Sequence, residues 1–183
     1  MRLLLDQNFP KPPGFDVRSV DSSLDVTHLS DFNSALSATS TPDWKLYWIA
    51  HKSGFDALVT RDAAQRTQLA EMFVLSRLPG FTIITWKRAL EDPVTEWGQL
   101  IAYLPEIRKR FENDESLQRT GSIILLPKPK LSSDHVVSAN DAFGELAVAQ
   151  GTSTREARLQ AQNELRDVID IAGWDPDEYA ELF

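Results

Sequence analysis

Two apolar runs of this chain stop abruptly at a carboxylate. Leu3, Leu4 and Leu5 run into Asp6, and Ala57, Leu58 and Val59 run through Thr60 and Arg61 into Asp62. A third acid, Asp43, opens the segment TPDWKLYWIA. Carboxylates that converge in a crevice repel one another and raise one another's pKa values unless a cation is bound. Mg²⁺ or Mn²⁺ suits such a donor set, being hard, oxygen-seeking and commonly held by a few carboxylates and waters. The chemistry this supports is hydrolysis of a phosphodiester, in which metal ions activate water and stabilise the leaving oxygen. No side-chain nucleophile is needed, and none stands out.

Each acid also has a plain structural reading. Asp6 can begin an Asx turn in DQNFP, Asp43 can complement a helix dipole from the first turn, and Asp62 can cap the helix that follows its strand. Joint placement is what favours a site. In an open parallel sheet ligands bind beyond the carboxyl ends of the strands. Asp6 and Asp62 each end a strand, and Asp43 starts a helix that runs back antiparallel to the strands. All three can therefore face one crevice.

The elements that must position these acids follow from pattern. Short apolar runs predict strands at 2–5, 24–28, 55–60, 81–86 and 122–126. Thr41 is a good N-cap, with Pro42 at the first helical position and Gly54 as a stop. Residues 63–76 have a helical apolar side of Leu69, Met72, Phe73 and Leu75. Asp92-Pro93 opens a helix carrying Trp97, Leu100, Ile101, Leu104, Ile107 and Phe111 at helical spacing, which Pro105 should kink or divide. Ser153 with Glu156 forms a capping box for a helix over 154–171. The proline-rich FPKPPGF, the polar DFNSALSATST and the segment PKPKLSSD read as connectors. The alternation predicts an α/β fold of three layers, α/β/α, around a mostly parallel sheet, with a C-terminal extension. The division expected is 1–112 for the main domain and 113–183 for an acidic extension of strand plus helix, packed on the domain or forming a dimer interface.

Charge separates the same two parts. Residues 1–112 carry 13 basic and 14 acidic side chains, residues 113–183 carry 6 and 13, so the net charge of −8 belongs mainly to the tail. Long-range repulsion of nucleic acid is thus a property of the tail, which could also cover a basic side of the site. The absence of cysteine excludes disulfides, thiolate zinc sites and a cysteine nucleophile. His28 and His51 lack partners at zinc-ligand spacing. No run is long enough to span a membrane, and the opening MRLLLDQ is too short for a signal peptide, so a soluble cytoplasmic protein is expected.

The segments MRLLLDQNFP, LDVTHLSDF and TPDWKLYWIAHKSGFDALVTRD resemble the PIN-like family, most closely the short bacterial PIN-like proteins grouped with VapC-type toxin ribonucleases. The resemblance covers roughly residues 1–90. It implies a PIN-like fold and Mg²⁺- or Mn²⁺-dependent RNA cleavage, with Asp6, Asp43 and Asp62 as metal ligands. It further implies that Asn8 holds a metal-bound water, that the Thr60 hydroxyl orients the first aspartate, and that Arg61 meets a phosphate. Lys11 is a further candidate for the RNA backbone. Partnership with an antitoxin protein is implied too, and a homodimer is open. The chain departs from the family pattern at Gln7, where glutamate is common, and no acid follows Asp62 among Ala63, Ala64, Gln65 and Arg66 to supply a fourth carboxylate. A catalytically inactive PIN-like binding module is the alternative. An aspartyl-phosphate phosphatase ranks last, because Asn8 stands where a second aspartate would be needed.

Overall fold

The computed structural model describes residues 1–11, 22–36, 41–62, 66–87, 92–127 and 135–183, of 135–137 the backbone alone. Six strands make one sheet: β1 (Arg2–Leu5), β2 (Asp25–His28), β3 (Ala57–Val59), β4 (Thr82–Trp86), β5 (Ser122–Leu126) and β6 (His135–Ser138). Their spatial order is β2-β1-β3-β4-β5-β6. The first five are mutually parallel, and β6 runs antiparallel along β5 at the edge. From β1 the chain goes one way to β2 and returns to the other side of β1 as β3. The strand order therefore reverses between β1 and β3, the position at which doubly wound sheets open a ligand crevice.

The helices are α1 (Leu29–Phe32), α2 (Asp43–Lys52), α3 (Leu69–Ser76), α4 (Pro93–Asn113), α5 (Glu115–Arg119), α6 (Ala139–Ala149) and α7 (Thr154–Ala172). Alternation along the strands sorts the core into two layers. Leu4, Leu58, Ile83 and Ile123 point to one face and pack with buried side chains of α2, α3, α6 and α7. Leu3, Leu5, Val59, Ile84 and Ile124 point to the other, where Trp97, Leu100, Leu104 and Ile107 of α4 cover them. This is the expected three-layer α/β/α arrangement with a mostly parallel sheet.

Several boundaries differ from expectation. Pro42 is itself the N-cap of α2, with no side-chain cap bond, in place of Thr41. Its fixed φ of −61° with extended ψ closes the entry without a capping oxygen. Helix α3 begins at Leu69 behind Gln68, later than 63, and residues 63–65 lie outside the described set. Pro105 does not divide α4, which runs unbroken through it. The ring is exposed, so water can meet the carbonyl left without a donor, while Leu104 and Ile107 pin the helix on either side. The capping box of Ser153 and Glu156 is present at α7. Most of FPKPPGF, the end of DFNSALSATST and nearly all of PKPKLSSD lie outside the described residues.

Segment 113–183 enters the main body at three places. Strand β5 pairs with β4, α6 and α7 pack against α3, and the chain after Gly173 turns back onto α2. There Trp174 and Tyr179 meet Trp44 edge-on at 5.9 and 5.7 Å. Lys45 Nζ lies 3.1 Å above the Trp174 ring, and Lys52 pairs with Glu181. Strand β6 and helix α6 were not expected from sequence. A four-residue strand and a helix rich in Ala and Gly offer little periodic contrast.

Candidate acidic site at the carboxyl edge of the sheet

Parallel pairing dictates the first contact of the site. Leu5 stands beside Val59, so the next residues, Asp6 and Thr60, emerge side by side at the carboxyl edge. Both lie on the face turned towards α2 and α3, one step on from Leu5 and Val59 on the opposite face. The Thr60 hydroxyl donates to Asp6 Oδ2 at 2.7 Å, and the Asp62 N–H donates to Thr60 Oγ1 at 3.1 Å. Asp6 Oδ1 accepts the Gln7 N–H at 2.7 Å. Asp6 does begin a turn, but through its backbone carbonyl, which accepts the Phe9 N–H at 2.9 Å, and not through an Asx bond of its carboxylate. Asp6 is buried, and Thr60 is fully so. Burial pushes the Asp6 carboxyl above its ordinary range, and the charge of Asp62 adds to this against the two hydrogen bonds that favour the carboxylate.

Helices α2 and α3 both lead back to the amino edge of the sheet, so both start at the carboxyl edge. Asp43 is the first residue of α2. The N-cap of α3 is Gln68, so Asp62 does not cap it. The first turn of α3 supplies Glu71, a carboxylate that sequence reasoning passed over. Its Oε2 is buried with no hydrogen-bond partner among the described residues. Burial, then the charges of Asp43 and Asp62, push the Glu71 carboxyl up to about 8. The signal in the sequence was a single acid within the otherwise apolar LAEMFVLS.

Tyr47, one turn after Asp43, is fully buried and marks the common focus. Its hydroxyl is held well above the ordinary phenol range, by burial first and then by the charges of Glu71, Asp43, Asp6 and Asp62. The start of each helix also presents backbone N–H groups, whose partial positive charge favours carboxylates there. Among the described residues, no group of three or more Asp, Glu or His side chains is gathered so as to hold a metal ion.

The remaining candidates sit around this cluster in different ways. Asn8 is exposed in the turn after β1. Arg61 points to the α4 side, where its Nε lies 2.9 Å from Oε1 of the fully buried Glu96. Lys11 Nζ pairs with Asp31 at 2.7 Å, exposed on the surface. His28 caps α1 and lies 3.1 Å from the Phe9 carbonyl through Nε2, which ties β2 to the turn after β1.

No family model, curated protein or solved structure matches the chain.

The cluster is a set of hard oxygen donors. The charges of Asp43 and Asp62 reach Glu71, that of Asp62 reaches Asp6, and Glu71 offers a buried oxygen without a hydrogen-bond partner among the described residues.

Proposed function

We propose that this protein is a metal-dependent ribonuclease of PIN-like type, acting in the cytoplasm as the toxin component of a toxin–antitoxin pair. The observation that carries the reading is that the charges of Asp6, Asp43, Asp62 and Glu71 all reach the buried Tyr47 hydroxyl, on the side of the sheet where the strand order reverses between β1 and β3. Asp6, Asp43 and Asp62 would hold Mg²⁺ or Mn²⁺, and Glu71 would supply the fourth acid that residues 63–66 lack. A bound ion of this kind supplies an activated water and charge for the leaving oxygen of a phosphodiester. Thr60 fixes the Asp6 carboxylate, Asn8 would hold a metal-bound water, and Arg61 and Lys11 would meet the RNA backbone on leaving Glu96 and Asp31. Glu71, protonated near neutral pH in the ion-free protein, has to release its proton on joining the ligand set. The partner that goes with this reading is an antitoxin protein, and a homodimer stays open. No helix among the described residues is long and apolar enough to cross a membrane.

The test is cleavage of a mixed RNA substrate in Mn²⁺ or Mg²⁺ by the native chain, Asp62→Asn and Glu71→Gln. Cleavage that needs the ion and is lost in Asp62→Asn is the expected result. The spacing of the carboxylates supports a second reading, a catalytically silent binding module. The two separate on the ion itself: saturating Mn²⁺ at about a hundredfold over Kd stabilises a binding fold by roughly 2.7 kcal/mol, whereas a silent module melts unchanged.

A further inference from the structure

On the α6 side of the sheet, away from the four acids, lies a half-open cavity of about 290 Å³. Ile123 and Leu125 of β5 form its floor, and Ala142, Leu146 and Ala149 line it from one face of α6. Arg66 enters from the segment before α3, and its Nε is buried with no hydrogen-bond partner among the described residues. A guanidinium nitrogen withdrawn from water without a partner is unfavourable. A buried polar atom of this kind calls for an account of what satisfies it.

We propose that this cavity binds a small organic anion, a single-ring or similarly compact apolar body bearing a carboxylate or phosphate that Arg66 receives. The chemistry follows from the walls. Apolar side chains accept the body, and the planar guanidinium matches the paired oxygens of the head group. Size agrees: an apolar cavity of about 150 Å³ accommodates benzene, so the volume here leaves room for a ring and its charged group. Glu145, exposed at the rim, repels the anion from the mouth and turns its head group towards Arg66. None of Asp6, Asp43, Asp62 or Glu71 lines the cavity, so the proposal stands apart from the nuclease reading.

The experiment is calorimetric titration of the full chain, free of added metal, with benzoate, phenyl phosphate and benzyl alcohol. The first two distinguish a carboxylate from a phosphate ligand, and the third is the uncharged control. At least one anion binds saturably in the millimolar range or below, about tenfold tighter than the alcohol. Arg66→Met removes that preference, and Ala142→Phe, which fills the cavity, removes binding of all three. Thermal melts of both variants establish that each is folded. Failure of both anions to bind the native chain overturns the proposal. So does binding that persists unchanged in the folded Arg66→Met protein.

Discussion

Glu71 concentrates the electrostatic cost of the site in one side chain, and that cost has a pH signature. Its carboxyl has an ordinary pKa of 4.5 and is pushed to about 8 in the fold. Across that interval the folded state holds the proton more tightly than the unfolded chain. The associated stability is complete below about pH 4.5 and is lost as pH rises through 8. Glu71→Gln, neutral at every pH, should therefore raise the melting temperature of the metal-free protein at pH 9 and leave it near the native value at pH 4. The gain is on the order of 2 kcal/mol once the partial exposure of the carboxyl is allowed for. An unchanged or lower melting point at pH 9 would show that the ionised Glu71 carboxylate carries no such penalty in the fold. Thr60 makes the opposite contribution. Thr60→Val keeps the shape but strips Asp6 of a donor and the Asp62 N–H of its acceptor. A loss of about 1–3 kcal/mol in urea denaturation is expected.

At the scale of elements, the first turns of α4 hold the two loops that carry the site. Trp97 donates to the Pro10 carbonyl at 3.0 Å, and Phe9 packs between Trp86 and Trp97 with ring centroids 5.6 and 5.1 Å away. The neighbouring Glu96 takes Arg61 from the other loop. Because Glu96 is wholly buried, its charge depends on compensation within the protein. Arg61→Ala should destabilise by on the order of 2–3 kcal/mol, and adding Glu96→Gln should restore much of that loss. A double-mutant cycle in urea measures the coupling, and additive losses would show that the pair is not a unit. The start of α4 was legible, since Asp92 accepts from the Val94 and Thr95 N–H groups as its type and place predict. The partner of Arg61 was not, because 35 residues separate the two and no local pattern links them.

For the whole molecule, the acidic end of the chain is part of the packing around α2. Tyr179 and Leu182 are buried, and Trp44 and Trp48 lie beneath them in the same cluster. A chain ending at Gly173 should melt well below the native protein. Its tryptophan emission should shift to the red as Trp44 and Trp48 meet water. An unshifted emission would mean that the aromatic cluster closes without its C-terminal cover. Because α2 begins with Asp43, any loosening of this layer also reaches the acidic site.

The sequence by itself determined what local chemistry and periodicity control. It marked five of the six strands, the caps of α4 and α7, and Asp6, Thr60 and Asp62 as strand-end residues. Apolar runs of strand length can hardly be read otherwise, and caps are decided within a few residues. Tertiary structure decided what depends on strand order and layer packing. The register of β1 on β3 puts Thr60 against Asp6, the order β2-β1-β3 sets the reversal point there, and packing of α3 on the sheet brings Glu71 to Asp43 and Asp62. It also aimed Arg61 at Glu96 and left Arg66 facing an apolar cavity. Those outcomes rest on contacts between distant segments, whose free energy exists only once the core is assembled.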